Sequence, residues 1–298
     1  MTATLHAFPD VAAPARRLAR ALGIAFQPAA LHHFPDGESR VRVGEVGQRV
    51  ILYQPLHQPN ARLVDALLAA SALRDRGARH VTLVAPYLGY MRQDRAFRAG
   101  EAVSQRVMGA LVAGAFDALV TVDPHLHRTP SLELVTPGIA ALAVPAAPAI
   151  AAQLNGRLSP RTVLVGPDAE SRPWVAAVAM PLGLDRLVAA KRRRGDRSVA
   201  IMLPAGTSLK GRPVLIVDDL LSSGGTVVAC AQALREAGAA RVGVVASHCL
   251  ASADDLARLP TAGIAPILAT DSVPGPAARI PLAGVLAAAI RKAGLLPD

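Results

Sequence analysis

The sequence predicts an α/β protein of two domains, each a mostly parallel sheet flanked by helices, and three observations carry that expectation. Short apolar runs, the pattern of strands buried on both faces, alternate with longer amphipathic stretches along the chain. The alternation restarts after a Pro- and Ala-rich segment at 137–150. The composition is 52% hydrophobic but only 3% aromatic, so the cores must be built from Ala, Val, Leu and Ile, which suit helices laid on parallel strands. At 298 residues the chain has room for two domains of ordinary size.

Each element follows from its pattern. "RVILYQ" (49–54) reads as a buried strand, and "ARLVDALLAASALRDRGA" (61–78) as an amphipathic helix with a glycine near its end. "HVTLVAPY" (80–87) is the next strand, "AVSQRVMGALVAGAF" (102–116) a helix and "DALVTVD" (117–123) a strand running into "DPHLH". In the second half "TVLVGPD" (162–168) is a strand ending in an aspartate. "ESRPWVAAVAMPLG" (170–183) holds a helix limited by Pro181, and "RLVAAKRRRGDRSVAIML" (186–203) reads as two strands joined by a basic loop. "VLIVDD" (214–219) is a buried strand, "TVVACAQALREAGA" (226–239) a helix and "RVGVVASHCL" (241–250) a further strand. Strands alternating with helices imply parallel sheets covered on both faces. The repeated pattern suggests a structural duplication, although the halves share no obvious sequence identity.

Composition narrows the function classes. The net charge of +10 comes mainly from arginine, which fits either nucleic acid or a small polyanionic substrate. Aromatic stacking residues are scarce and the longest basic run is "KRRR" at 191–194, so the small anion is expected and nucleic acid is not. Cys230 and Cys249 sit in no CxxC or Cys/His cluster, which argues against disulfide stapling and structural zinc and fits a reducing cytoplasm. No leader pattern opens the chain. The uncharged window 134–156 contains Pro137, Pro145 and Pro148 and is rich in alanine, a poor spanning helix, so no membrane is expected.

Ligands of open α/β sheets sit at the carboxyl ends of the strands. The polar residues collect there: Asp123 and His125, Asp168, Asp218 and Asp219. Any one of them is also an ordinary helix cap or turn former. After the paired aspartates, "SSGGT" (222–226) can form a tight turn whose N–H groups converge at a helix N-terminus, a cradle for phosphate. Carboxylates beside such a cradle can accept hydrogen bonds from sugar hydroxyls, so a phosphorylated sugar is the expected ligand. Neither GxxxxGK[ST] nor a GxGxxG after a strand is present, so a nucleotide must be held by other means.

The hydrophobic–Asp–Asp–x–x–Ser–Ser–Gly–Gly–Thr stretch resembles the loop that binds phosphoribosyl diphosphate in phosphoribosyltransferases and phosphoribosyl diphosphate synthetases. The remaining motifs resemble the second group, the ribose-phosphate pyrophosphokinases. "FPDGESRVRV" (34–43) is similar to their Asp-Gly-Glu nucleotide loop, and "PYLGYMRQDRAF" (86–97) to their Tyr-x-Arg-Gln-Asp-Arg segment. "DPHLH" (123–127) resembles the metal-binding histidine region in its archaeal-type form, and "GPDAES" (166–171) the segment of a metal-binding aspartate. "KRRRGDRSVAI" (191–201) resembles the family's catalytic loop, and "ATDSVPGPAARIPLAGVLAAAIRK" (269–292) its C-terminal strand and helix.

The resemblance implies two phosphoribosyltransferase-like domains, at 1–146 and 147–279, with a C-terminal helix at 280–298 packing back on the first. It implies that ATP and ribose 5-phosphate give AMP and phosphoribosyl diphosphate, with Mg²⁺ as cofactor. Asp36, Gly37, Glu38, Arg92 and Gln93 would then bind ATP. His125 and Asp168 would serve Mg²⁺, the histidine being the weaker direct ligand because Mg²⁺ prefers oxygen. Lys191 and Arg193, in a loop containing Gly195, would be the catalytic cations. Arg193, Asp218, Asp219, Ser222, Ser223, Gly224, Gly225 and Thr226 would bind ribose 5-phosphate. Arg172 and Trp174 depart from the small residues the family shows after its metal-binding aspartate, which puts the geometry there in question. The alternatives are a non-catalytic subunit that kept the fold, or a phosphoribosyltransferase. Intact Lys191, Arg193, His125 and Asp168 argue against the first, and the extra N-terminal motifs against the second. Family members assemble near their sites, so at least a dimer is expected.

Overall fold

The computed structural model describes residues 2–126, 128–194 and 198–296, with the side chains of 192–200 outside that description. The chain divides into two compact units: Met1–Pro145 with Leu282–Asp298, and Ala146–Pro281.

The first unit contains β1 (Ala3–Ala7), α1 (Ala12–Leu22), β2 (Ala25–Pro28), β3 (Ala30–His33), β4 (Ser39–Arg42) and β5 (Arg49–Tyr53). It continues with α2 (Pro59–Asp75), β6 (His80–Ala85), α3 (Ser104–Ala115), β7 (Ala118–Val122) and β8 (Ala140–Val144). Its sheet has the order β2-β1-β5-β6-β7-β8, with every pair parallel, while β3 and β4 form a separate antiparallel hairpin. The central strands β5, β6 and β7 are almost wholly buried, as continuous apolar runs between two helix layers require.

The second unit contains α4 (Ala147–Leu154), β9 (Val163–Gly166), α5 (Arg172–Leu182), β10 (Asp185–Val188), β11 (Ala190–Arg194) and β12 (Ser198–Met202). It continues with β13 (Pro213–Leu221), α6 (Gly225–Glu236), β14 (Arg241–Cys249), α7 (Ala253–Thr261), β15 (Ile264–Thr270) and β16 (Ala278–Ile280). The sheet order β10-β9-β13-β14-β15-β16 repeats that of the first unit strand for strand, again all parallel. Each unit also inserts an antiparallel hairpin between its second and third sheet strands, β3–β4 in one and β11–β12 in the other. The duplication is therefore structural. The chain ends in α8 (Ala283–Lys292), which packs on α1 of the first unit through buried Leu286, Ala287 and Ile290, with Arg291 donating to the carbonyl of Ala21.

Three sequence expectations need correction. The segment 186–203 forms parts of three strands rather than two: β10 joins the main sheet beside β9, and only β11 and β12 make the hairpin. Pro181 does not limit α5, which runs through it to Leu182 and stops at Gly183 in the left-handed region (φ +62°). The strand expected at 214–219 does not end at the paired acids, because Leu220 and Leu221 still pair with His248 and Cys249 of β14. The window 134–156 contains β8 and the whole of α4. Among the described residues no helix is long and apolar enough to cross a membrane.

Close approach in these Ala-rich layers depends on residue size. A Cβ on Gly109 of α3 would stand 1.7 Å from the carbonyl oxygen of Val135. Gly109→Ala should gain about 1 kcal/mol of helix propensity but lose more than about 3 kcal/mol to that clash with main chain. We expect a clear net fall in the denaturant midpoint, and an unchanged midpoint would refute the close contact.

Candidate functional site

In the second unit the sequence-predicted residues converge on the ends of β13 and α6. Asp218 and Asp219 are half-buried in β13, and the N–H of Asp219 donates to Asp218 Oδ1 at 3.1 Å. Burial, followed by the charges of Asp219 and Asp168, pushes the Asp218 carboxyl well above its ordinary value of 3.8. Ser222 and Ser223 are exposed in the turn that follows. Gly224 then takes the left-handed conformation (φ +80°), and a Cβ there would lie 3.0 Å from Leu259 Cδ2, so glycine is needed twice over. No side chain caps α6, which leaves its first-turn N–H groups, Gly225 and Thr226 among them, for a ligand to satisfy.

Lys191, 35 residues upstream, reaches this cradle. Its Nζ donates to Thr226 Oγ1 at 3.2 Å from a half-buried position on β11. The hairpin that carries it is anchored by Ile201 and Leu203, which pack against the core of this unit. The side chain of Arg193, and Gly195 itself, lie outside the described residues. Asp168 follows β9, the neighbour of β13, as the cap of the short 3-10 turn before α5: Oδ1 accepts from the N–H groups of Glu170 (3.1 Å) and Ser171 (3.3 Å). Capping and proximity to Asp218 thus coexist in one residue. Arg172 is exposed at the start of α5 and Trp174 is half-buried.

In the first unit, Asp36, Gly37 and Glu38 form the exposed tip of the β3–β4 hairpin. The tip is closed by Phe34 N–H to the Glu38 carbonyl (2.8 Å) and by Glu38 N–H to Asp36 Oδ1 (3.1 Å), with Gly37 at φ +92°. Arg92, exposed, and Gln93, half-buried, lie on the long loop between β6 and α3. His125 is half-buried just beyond β7. The Arg92–Gln93 loop and the segment after His125 are tied together by Arg128 on Asp94 (3.2 Å) and by Thr129 donating to Gln105 (2.7 Å). Among the described residues no hydrogen bond joins the hairpin tip to that loop.

Two organising residues escaped the sequence reading. Glu101 accepts from the N–H groups of Phe97 (2.8 Å) and Arg98 (3.0 Å) and from Gln93 (3.3 Å), and these bonds, Phe97 first, lower its carboxyl below the usual range. Phe97 is exposed, with the guanidiniums of Arg95 and Arg128 over its ring. The one available signal was a second carboxylate, after Asp94, closing the cation-rich run "RQDRAFRAGE".

Two family profiles match the chain: the N-terminal domain of ribose phosphate pyrophosphokinase over residues 7–115, and the phosphoribosyl transferase domain over 140–259. The ribose-phosphate pyrophosphokinase of Methanopyrus kandleri is 35% identical over 92% of this chain and 94% of its own. That of Pyrococcus abyssi is 39% identical over 72% and 74%. Phosphoribosylpyrophosphate synthetase of Mycobacterium smegmatis superposes with a TM-score of 0.80 at 26% identity, covering 98% of this chain and 99% of that one. The sheet order, the glycine-capped loop after the paired aspartates and matches of this length agree with one another, and the chain belongs to the ribose-phosphate pyrophosphokinase family.

Proposed function

We propose that the chain transfers the diphosphoryl group of ATP to the C1 hydroxyl of ribose 5-phosphate, giving AMP and phosphoribosyl diphosphate. The observation that carries the reading is the Lys191 ammonium held 3.2 Å from Thr226, at the mouth of an uncapped helix that follows two carboxylates. Asp218 and Asp219 accept from the ribose hydroxyls, and the N–H and hydroxyl groups of Ser222, Ser223, Gly224, Gly225 and Thr226 hold the 5-phosphate. Asp36, Gly37, Glu38, Arg92 and Gln93 bind ATP. The C1 oxygen attacks the β-phosphorus, the bond from that phosphorus to the α–β bridging oxygen breaks, and AMP leaves with that oxygen; the hydroxyl proton passes to solvent. Catalysis is positioning and charge neutralisation, the work of Lys191 and Arg193.

Mg²⁺ fits the residues present. The carboxylates of Asp218, Asp219 and Asp168 crowd negative charge that a divalent cation relieves. Among the described residues no group of three or more His, Cys, Asp or Glu forms a metal cage, which suits an ion held chiefly by water and substrate phosphates. Asp168 is the side chain that would serve it here, and His125 of the first unit would serve a separate Mg²⁺. When bound it neutralises phosphate charge.

We also read the enzyme as cytoplasmic, in keeping with two free, buried thiols, and as at least dimeric. Exposed Val107, Leu111 and Tyr90 line an apolar cavity of about 390 Å³ on the first unit, a face suited to a second copy.

The test is an incubation with ATP, ribose 5-phosphate and Mg²⁺ in which AMP and phosphoribosyl diphosphate are quantified together. Equal amounts, abolished by EDTA or by omission of the sugar, are expected. AMP without phosphoribosyl diphosphate would point to hydrolysis and to the Arg172–Trp174 departure. No turnover in a folded protein that still binds either substrate would favour the non-catalytic subunit. Gly224→Ala should raise the KM for ribose 5-phosphate about tenfold, because a side chain in the left-handed region costs roughly 1–2 kcal/mol; an unchanged KM would detach the loop from sugar binding.

A further inference from the structure

The carboxyl ends of the second unit's strands hold the site described above, and their amino ends carry a different chemistry. Arg161 lies two residues before Val163 of β9, and Arg212 two residues before Val214 of β13, the pair Val163–Val214 being in register. Arg241 opens β14 in register with Pro213. Three neighbouring strands are thus each entered through an arginine, and Arg157 lies four residues before Arg161 on the same lining. Arg157, Arg161 and Arg241 border a cavity of about 490 Å³, whose apolar lining includes Pro213, Val214 and Pro266. The volume lies in the range of small-ligand sites.

Charge and hydrogen bonding there are unbalanced. Arg212 is committed: it binds Asp185 at 2.6 Å and the carbonyl of Arg161 at 2.9 Å. Among the described residues, the side chains of Arg157, Arg161 and Arg241 make no ion pair or hydrogen bond, and no carboxylate lines the cavity. The guanidinium of Arg161 leans over Gly211, its Nη2 4.0 Å from where a Cβ would stand. Thr162, also on the lining, is 2% exposed and its hydroxyl oxygen has no partner. The buried hydroxyl left unsatisfied costs stability unless a ligand answers it, and the three exposed guanidiniums around one cavity make its mouth positive.

We propose that this cavity is a second anion site, which binds a small molecule carrying two or more linked phosphoryl groups. Three unpaired guanidiniums match the charge of a diphosphate and offer it forked donors, and the apolar lining accommodates an attached organic part. The site stands apart from Asp218 and Lys191, since it lies at the opposite ends of the same strands.

The probe is sodium tripolyphosphate, titrated calorimetrically into the full chain in EDTA at fixed ionic strength. Wild type is expected to show a binding event that Lys191→Ala retains and Arg161→Ser/Arg241→Ser weakens by about tenfold or more, as loss of charge-assisted hydrogen bonds implies. Thr162→Val should weaken it severalfold. The double variant should keep its melting temperature and its turnover of ATP and ribose 5-phosphate without added polyphosphate; should it fail to fold, the exposed single change Arg241→Gln replaces it. ADP distinguishes the sources: displacement of tripolyphosphate at lower concentration means that a nucleoside is read, and displacement at equal concentration means that the phosphate chain alone is. Equal affinity in wild type and the arginine variants, or loss only in Lys191→Ala, would overturn the proposal and leave these arginines a solvated basic edge.

Discussion

Lys191→Ala is expected to lower kcat by about 1,000-fold, the scale on which single preorganised cationic or oxyanion-stabilising groups act in phosphoryl and acyl transfer. The KM for ribose 5-phosphate should change far less. The ammonium is half-buried, and its one hydrogen bond among the described residues goes to a neutral hydroxyl, Thr226, so it is a charge without a resident counter-charge. Such a group gains most when negative charge grows beside it, which happens as the bond from the β-phosphorus to AMP breaks. The fold tolerates its removal, because β11 is held to β12 by main-chain pairing from Ala190–Met202 to Arg194–Ser198 rather than by this side chain. Pre-steady-state measurement of AMP release separates the outcomes. A loss confined to kcat supports a transition-state role; a matching rise in KM with kcat unchanged would make Lys191 a ground-state phosphate ligand.

How much of this was legible in the sequence depended on burial and on range. The central strands were readable because strands covered on both faces become unbroken apolar runs, as in "VLIV" and "RVGVV". Edge strands were harder: β2 is largely exposed and went unread, β10 was read only as part of a longer strand, and β16 has three residues, so their patterns resemble loop. The helix α7 carried a readable signal that went unused, the Ser252–Asp255 capping box ahead of it. The turn and uncapped helix start proposed to hold phosphate were legible because aspartates, turn and helix start occupy one contiguous stretch. The Lys191–Thr226 contact spans 35 residues, and only the insertion of β11–β12 into the βα framework creates it. The equivalence of the two hairpins is equally invisible locally, since "FPDGESRVRV" and "KRRRGDRSVAI" fill the same topological slot with different residues.

Asp218→Asn should make the protein more stable at neutral pH while abolishing formation of phosphoribosyl diphosphate. The reason is the cluster of carboxylates. Burial and the charges of Asp219 and Asp168 raise the folded-state value of Asp218 well above 3.8, so folding favours its protonated form. The sign follows directly: its contribution to stability is fully present below the unfolded value near 4 and is lost as pH rises through the raised folded value. At pH 7, where the unfolded carboxyl is ionised, the native state therefore bears the cost either of holding that charge or of taking up a proton. Asparagine removes the charge and can still accept the Asp219 N–H through Oδ1. Thermal melts should show the variant gaining a few degrees over wild type at pH 7 and converging with it in acid. Mg²⁺ with ribose 5-phosphate should raise the melting temperature of wild type and not of the variant, because the proposed role of this carboxylate is to meet the cation and the sugar hydroxyls. A variant that melts lower than wild type at pH 7 would show that Asp218 is charged for structural reasons, and would remove the account of its conflict with Asp219 and Asp168. If the melt behaves as expected and activity survives, the ribose hydroxyls are held by Asp219 instead. The cost of holding two adjacent carboxylates in a half-buried strand is then the signature of a site selected for binding at the expense of the fold.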